Sequence, residues 1–148
     1  MIEFRTSRTE DADTLFSIWK RAVDATHDFL SPEHKAFIAK LVREEFLPNA
    51  ELTLAVDEAD APLGFLTMSG NKIDALFVDP ARHGHGIGKA LILRAAREQP
   101  LLLVDVNAQN ASGVGFYRHL GFREIGRSAT DELGLPYPLL HLEWRRFA

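Results

Sequence analysis

Cysteine is absent from this 148-residue chain. That removes disulfide frameworks, thiol nucleophiles and cysteine-based metal sites at once. Long apolar runs are missing too, and none approaches the roughly 20 residues that a membrane-spanning helix requires. The start, Met1-Ile2-Glu3-Phe4-Arg5, has no basic segment leading into an apolar one, so no signal peptide is expected and a cytoplasmic protein is the simplest class. Positive charge is not in excess: 17 Lys and Arg stand against 21 Asp and Glu, a formal net charge of −4. A broad nucleic-acid footprint is therefore disfavoured, although a small cationic patch for phosphates remains open. Internal repeats, low-complexity tracts and linkers are also lacking.

What is present reads as a globular chain, with 46% hydrophobic and 26% charged residues, enough for a core in a single domain spanning residues 1–148. Ile2 to Arg5 alternates as a strand. Ser7-Arg8-Thr9-Glu10 offers a capping box for a helix on which Leu15, Ile18, Trp19, Ala22 and Val23 share one face. Ser31-Pro32 predicts a second helix start, running toward Phe46. Leu52 to Val56 and Leu63 to Ser69 alternate as a hairpin, with turns near Asp60-Ala61-Pro62 and Gly70-Asn71. Ile73 to Val78 and Leu101 to Val106 are apolar on both faces, as central strands are. Two closing strands, near Phe122–Ser128 and Leu139–Trp144, follow a helix that Gly121 suits as a stop. The order βαα-βββ-α-β-α-ββ predicts an α/β fold, a mixed central sheet flanked by helices.

Between the strand ending at Val78 and a helical pattern over Ala90–Arg97 lies Asp79-Pro80-Ala81-Arg82-His83-Gly84-His85-Gly86-Ile87-Gly88-Lys89. Alternate glycines let backbone curl tightly and approach a ligand closely. Their N–H groups then converge at a helix N-terminus, an arrangement suited to phosphate. A Walker A loop needs a glycine where His83 stands and a hydroxyl where Ala90 stands, and a dinucleotide fingerprint needs a glycine where Leu91 stands. Neither fits.

The loop resembles instead the acyl-CoA loop of the GNAT N-acetyltransferases, Gln/Arg-x-x-Gly-x-Gly/Ala, with His83, Gly86 and Gly88 at its defined positions. His83 departs from the usual Gln or Arg. A second stretch, Asn110-Ala111-Ser112-Gly113-Val114-Gly115-Phe116-Tyr117-Arg118-His119-Leu120-Gly121-Phe122, resembles the same family's Asn-x-x-Ala-x-x-aromatic-Tyr-x-x-x-Gly-Phe signature. There Gly113 replaces alanine, a mild weakening of the helix. The phrases at residues 23–30 and 136–140 resemble one branch of the family in particular.

The resemblance implies an acetyl-CoA-dependent enzyme that moves an acetyl group directly onto a primary amine, in a fold whose central strands splay apart near Val78 and Val106. It implies that backbone N–H groups at Phe77 and Val78 hold the thioester oxygen. His83, Gly84, His85, Gly86, Ile87, Gly88 and Lys89 would hold pyrophosphate with help from Arg82, and Asn107 and Asn110 would face the pantetheine arm. Tyr117 takes the general-acid position, because a phenol stays protonated near neutrality and can donate to a thiolate. Asn110 also suits a helix N-cap, and Tyr117 alone, without its flanking motif, reads as a half-buried packing residue.

A base for the amine is harder to assign. Asp74 sits in an otherwise apolar strand, where a buried carboxylate calls for a reason. His27 titrates near the working pH, between Asp24 and Asp28, which could draw in a cationic amine. Each also reads as ordinary surface polarity. Two histidines on a flexible loop, His83 and His85, make a poor metal site, and no metal is expected. Neither a nucleic-acid nor a membrane partner is expected. Two rival functions remain at this point: a non-catalytic acyl-CoA sensor, and a toxin acetylating charged tRNA.

Overall fold

The helical face through Leu15, Ile18, Trp19 and Val23 is buried, and a hydrophobic core forms on it. The computed structural model describes residues 2–147. They fall into two compact units, one made of the chain up to Thr67 with Ala75–Leu91, the other of Met68–Asp74 with the chain from Ile92 on.

The first unit holds β1 (Glu3–Thr6), α1 (Ala12–Thr26), α2 (Pro32–Leu41), α3 (Leu47–Asn49), β2 (Thr53–Val56) and most of β3 (Pro62–Ser69). It also holds the C-terminal part of β4 (Lys72–Val78) and the first turn of α4 (Ile87–Ala96). β1 pairs antiparallel with β2, and β2 with β3, whose other neighbour is β4. Leu54, Val56 and Phe65 meet the apolar face of α1, with Phe77 of β4 packed at their edge. Phe77 lies 5.7 Å from the Phe65 ring and 6.5 Å from the Trp19 ring. At the rim, the Arg5 guanidinium grips Asp11 with bonds of 2.8 and 3.0 Å.

Two local expectations are corrected here. Ser7 does not cap the first helix; its hydroxyl accepts the Leu52 amide instead, and Asp11 bonds back to the Arg8 amide at 2.7 Å. The carboxylate does this work because Arg5 already holds it in place. The second helix starts as expected, with Ser31 accepting the His34 amide at 3.1 Å. Its α-helical hydrogen bonding stops at Leu41, however, and residues 42–46 form a π-helical turn before α3.

The second unit holds the start of β4, then β5 (Leu101–Asn107), α5 (Ala111–His119), β6 (Arg123–Ser128) and β7 (Leu139–Arg145). β4 joins β5 in parallel through Lys72↔Leu103 and Ile73↔Val104. β5 pairs antiparallel with β7 along its whole length, and β7 pairs with β6 across a bulge between Glu124 and Gly126. β5 is not uniformly apolar in its surroundings. Leu102, Val104 and Val106 are buried, whereas Leu101, Leu103, Asp105 and Asn107 alternate with them and are only half-buried. Among the described residues, no helix is long and apolar enough to cross a membrane.

Candidate functional site

The glycine-rich loop lies in the first unit. Asp79 and Pro80 start a single 3-10 turn, with the Asp79 carboxylate accepting the Ala81 amide at 3.0 Å. Arg21 of α1 pairs with the same carboxylate. Burial works against charge on Asp79, but Arg21 and the Ala81 amide hold its carboxyl below the usual range. The chain then crosses into left-handed backbone at Gly84, φ 84°, and Gly86, φ 75°. Apart from its two chain neighbours, no described residue comes within 4 Å of where a Cβ would stand at either glycine. What these positions demand is the backbone angle, not room.

α4 begins at once, and the first amide to bond back is that of Ala90, to the Gly86 carbonyl at 2.9 Å. The amides of Ile87, Gly88 and Lys89 thus have no acceptor within the helix. His83, His85 and Lys89 are exposed around this turn, and Ile87 and Gly88 are buried beneath it. The result is a curl of free donors beside the Lys89 ammonium and two imidazoles, which suits a multiply charged phosphate.

Phe77 and Val78, half-buried, precede the loop. β3 passes them closely at Gly64, where a Cβ would meet the Phe77 carbonyl at 2.9 Å. Gly64, Arg21 and Asp79 are therefore loop-positioning residues that spacing alone did not single out. The Asp-Pro pair was a readable signal for the turn; the other two were not.

His27, just after α1, is half-buried and its pKa is pushed down to about 4, by desolvation first and by nearby Lys35 second. The Thr26 hydroxyl donates to the Ala22 carbonyl at 2.8 Å, so its oxygen receives the His27 Nδ1–H at 2.7 Å. The imidazole is then neutral with Nε2 as acceptor. Asp24 is bound by Lys20 and Lys35 at 3.0 and 2.6 Å, and Asp28 is exposed.

The second unit carries the other named residues. Tyr117, on α5, is 7% exposed, and its ring meets Phe116 and Phe122 edge-on at 5.1 and 5.2 Å. Burial pushes the phenol pKa upward. The helix ends in a glycine motif. Gly121, φ 100°, donates its amide to the Arg118 carbonyl, and Phe122 donates to Tyr117. That pattern is a Schellman stop, which accounts physically for the spacing Tyr-x-x-x-Gly-Phe.

Asn110 caps α5, its side-chain oxygen accepting the Gly113 amide at 2.9 Å. A Cβ at Gly113 would come within 2.5 Å of the Asn110 amide nitrogen. The glycine thus makes room for this cap conformation, beyond merely weakening the helix. Asn107 is half-buried at the end of β5. Asp74 is exposed and accepts the Ser69 hydroxyl, as the surface reading of this residue expects and a buried carboxylate does not. The residue points its charge at water because it lies next to the hairpin turn. The loop, His27, Phe77 and Val78 thus belong to one unit, and Tyr117, Asn107, Asn110 and Asp74 to the other.

Residues 22–137 match the model of the acetyltransferase (GNAT) domain. The chain belongs to the GNAT family. It is 50% identical over 142 residues to the peptidyl-lysine N-acetyltransferase YjaB of Salmonella typhimurium, covering 96% of this chain and 97% of that one. Its structure is similar to the solution structure of apo-form YjaB from Escherichia coli, with a TM-score of 0.93, 49% identity and 97% of each chain covered. It also shares the fold of the PaiA N-acetyltransferase of Thermoplasma acidophilum, solved in complex with coenzyme A, at a TM-score of 0.78 and 23% identity over 98% and 99% of the two chains. The branch that residues 23–30 and 136–140 resemble is that of YjaB. The mixed α/β fold is that of the GNAT N-acetyltransferases, and the chain is one of these enzymes.

Proposed function

We propose that this GNAT enzyme transfers an acetyl group directly from acetyl-CoA to the side-chain amine of a peptidyl lysine, with Tyr117 protonating the departing thiolate. The observation that carries the acceptor class is the near-full-length likeness to a protein named as a peptidyl-lysine acetyltransferase. The curl of unpaired amides over residues 87–89, beside His83, His85 and Lys89, supports pyrophosphate binding.

In the reaction, the neutral amine nitrogen attacks the thioester carbon. The Phe77 and Val78 amides receive the developing oxyanion. The nitrogen gives its surplus proton to water, the intermediate collapses as the C–S bond breaks, and the sulfur takes the Tyr117 proton. No described residue hydrogen-bonds the Tyr117 hydroxyl, and it is not among fully enclosed polar atoms left without a partner, which supports a donor open to substrate. Its raised pKa keeps it protonated throughout the neutral range. The same shift makes donation to a thiolate of pKa ~8.5 more uphill than it is for an ordinary phenol. Water must therefore return the proton promptly.

His27 offers a neutral Nε2 lone pair, but a pKa of about 4 makes it a weak base. It suits accepting a hydrogen bond from the amine better than carrying its proton away. Asp74 is exposed at the surface and takes no assigned step. The test is thiol release from acetyl-CoA with a lysine-containing peptide, read with mass mapping of the product. An acetyl group on the lysine Nζ is expected; turnover confined to free small amines would overturn the acceptor class.

A further inference from the structure

A hydrogen-bonded chain of four side chains crosses the strands of the second unit and plays no part in the acetyl transfer described above. Lys72 Nζ lies 2.8 Å from Asp105 Oδ2. Asp105 Oδ1 lies 2.6 Å from His141 Nδ1. His141 Nε2 lies 2.6 Å from Ser128 Oγ. We propose that Ser128, His141 and Asp105 form a nucleophilic serine site that accepts the acyl group of small acyl esters and hydrolyses it, an activity separate from CoA-dependent transfer.

The proton positions follow from the contacts. Burial disfavours charge on Asp105, but His141 and Lys72 outweigh it and keep the carboxyl below its usual range. An ionised carboxylate only accepts, so His141 Nδ1 must carry the hydrogen. In the neutral ring Nε2 is then a lone pair, and the short contact to Ser128 requires the serine to donate. Serine donating to imidazole, with imidazole donating to carboxylate, is the arrangement that activates a hydroxyl, and it is recognised by geometry and roles on any fold.

The strands build this arrangement deliberately. His141 stands directly opposite Asp105 on β5 and opposite Gly126 on β6. With no side chain at Gly126, the ring lies over the β6 backbone, its Cδ2 3.5 Å from where a Cβ would be. The bulge after Glu124 shifts the following register, which brings Ser128 to the far ring nitrogen. The imidazole side chain is 31% exposed and Asp105 17%, so the site is sheltered yet reachable. β6 is the outer strand in the order β5-β7-β6. Alternate N–H groups of such an edge are not used by the ladder and can serve as donors for an oxyanion.

The step balances as follows. Ser128 Oγ bonds to the ester carbonyl carbon while its proton passes to His141 Nε2. The C–O bond to the alcohol breaks, and that oxygen leaves with the imidazolium proton. Water then attacks acyl-Ser128, His141 takes its proton, and the acid departs as Ser128 regains its hydrogen. No oxidant, metal or CoA is consumed, so this activity stands or falls apart from the proposed lysine acetylation.

The test treats the full chain with a fluorophosphonate probe and maps the adduct by peptide mass analysis, alongside p-nitrophenyl acetate hydrolysis. A single adduct on Ser128 is expected, forming at least about tenfold more slowly in His141→Gln, together with loss of ester hydrolysis in Ser128→Ala. An adduct elsewhere, no adduct, or a His141→Gln rate less than about tenfold below wild type means that the chain is only a tie between strands. Retained hydrolysis in folded Ser128→Ala overturns the proposal equally. Should His141→Gln not fold, the adduct position in the wild-type protein decides.

Discussion

Phe122 donates its amide to the Tyr117 carbonyl at 3.0 Å, while the two rings meet edge to face 5.2 Å apart. One motif thus ends the helix and fixes the tyrosine ring on its last turn. The phenol is held by backbone and by ring contacts, and its oxygen is left without a protein partner among the described residues.

Tyr117→Phe keeps that ring packing and removes only the proton donor. Turnover of acetyl-CoA with a peptide acceptor is expected to fall by about 10²- to 10⁴-fold. Coenzyme A affinity, read by calorimetry, should change little, and so should the melting temperature. Near-normal kcat with chemistry rate-limiting would mean that the thiolate takes its proton from water.

Gly86→Val forces a β-branched residue into left-handed backbone at φ 75°. The loop must then rearrange, turning its amides away from a common focus. Coenzyme A binding should weaken by at least about tenfold with circular dichroism unchanged, since no described residue beyond its chain neighbours crowds a Cβ there. Unaltered calorimetric affinity in the folded variant would remove the loop from the binding site.

Asp79→Ala deletes both the acceptor for the Ala81 amide and the partner of Arg21. A lost cap of this type is worth about 1 kcal/mol. KM for acetyl-CoA is therefore expected to rise by about fivefold with kcat nearly constant. A kcat effect without a KM effect would place Asp79 in the chemistry instead.

The loop and the tyrosine motif were legible in the sequence because each is a backbone requirement written in local spacing. Gly84, Gly86 and Gly121 all take positive φ, and few other residues tolerate it. Features that depend on remote pairing left no such trace. Arg21 and Asp79 are 58 residues apart, and Asp105 and His141 are 36 apart. Asp74 has two readings in the sequence, because an apolar run suggests an interior strand, whereas this position sits beside a hairpin turn and faces water, as the surface reading has it. Ser7 matched a capping pattern, but the Leu52 amide claimed its hydroxyl first.

His27 makes stability depend on pH in a defined window. The unfolded chain takes up a proton as pH falls below about 6.5, whereas the folded chain keeps this ring neutral down to about 4. Between those values the unfolded state binds more protons, so stability falls as pH is lowered, with the full loss reached below the folded pKa. Urea midpoints at pH 7.0 and 4.5 should differ more in the wild type than in His27→Gln. Equal differences in the two proteins would show that other groups cause the decline.

The chain enters its second unit at Met68, returns to the first at Ala75 and leaves again after Leu91. Neither unit is a continuous stretch, so no single cut releases one of them whole. A fragment beginning at Ile92 would leave Lys72 behind, depriving Asp105 of its ammonium partner. A fragment ending at Leu91 would carry the excursion at residues 68–74 with no β5 for Lys72 and Ile73 to pair with. Splitting this protein for reporter or complementation use is therefore expected to yield two incomplete pieces, wherever the break is placed.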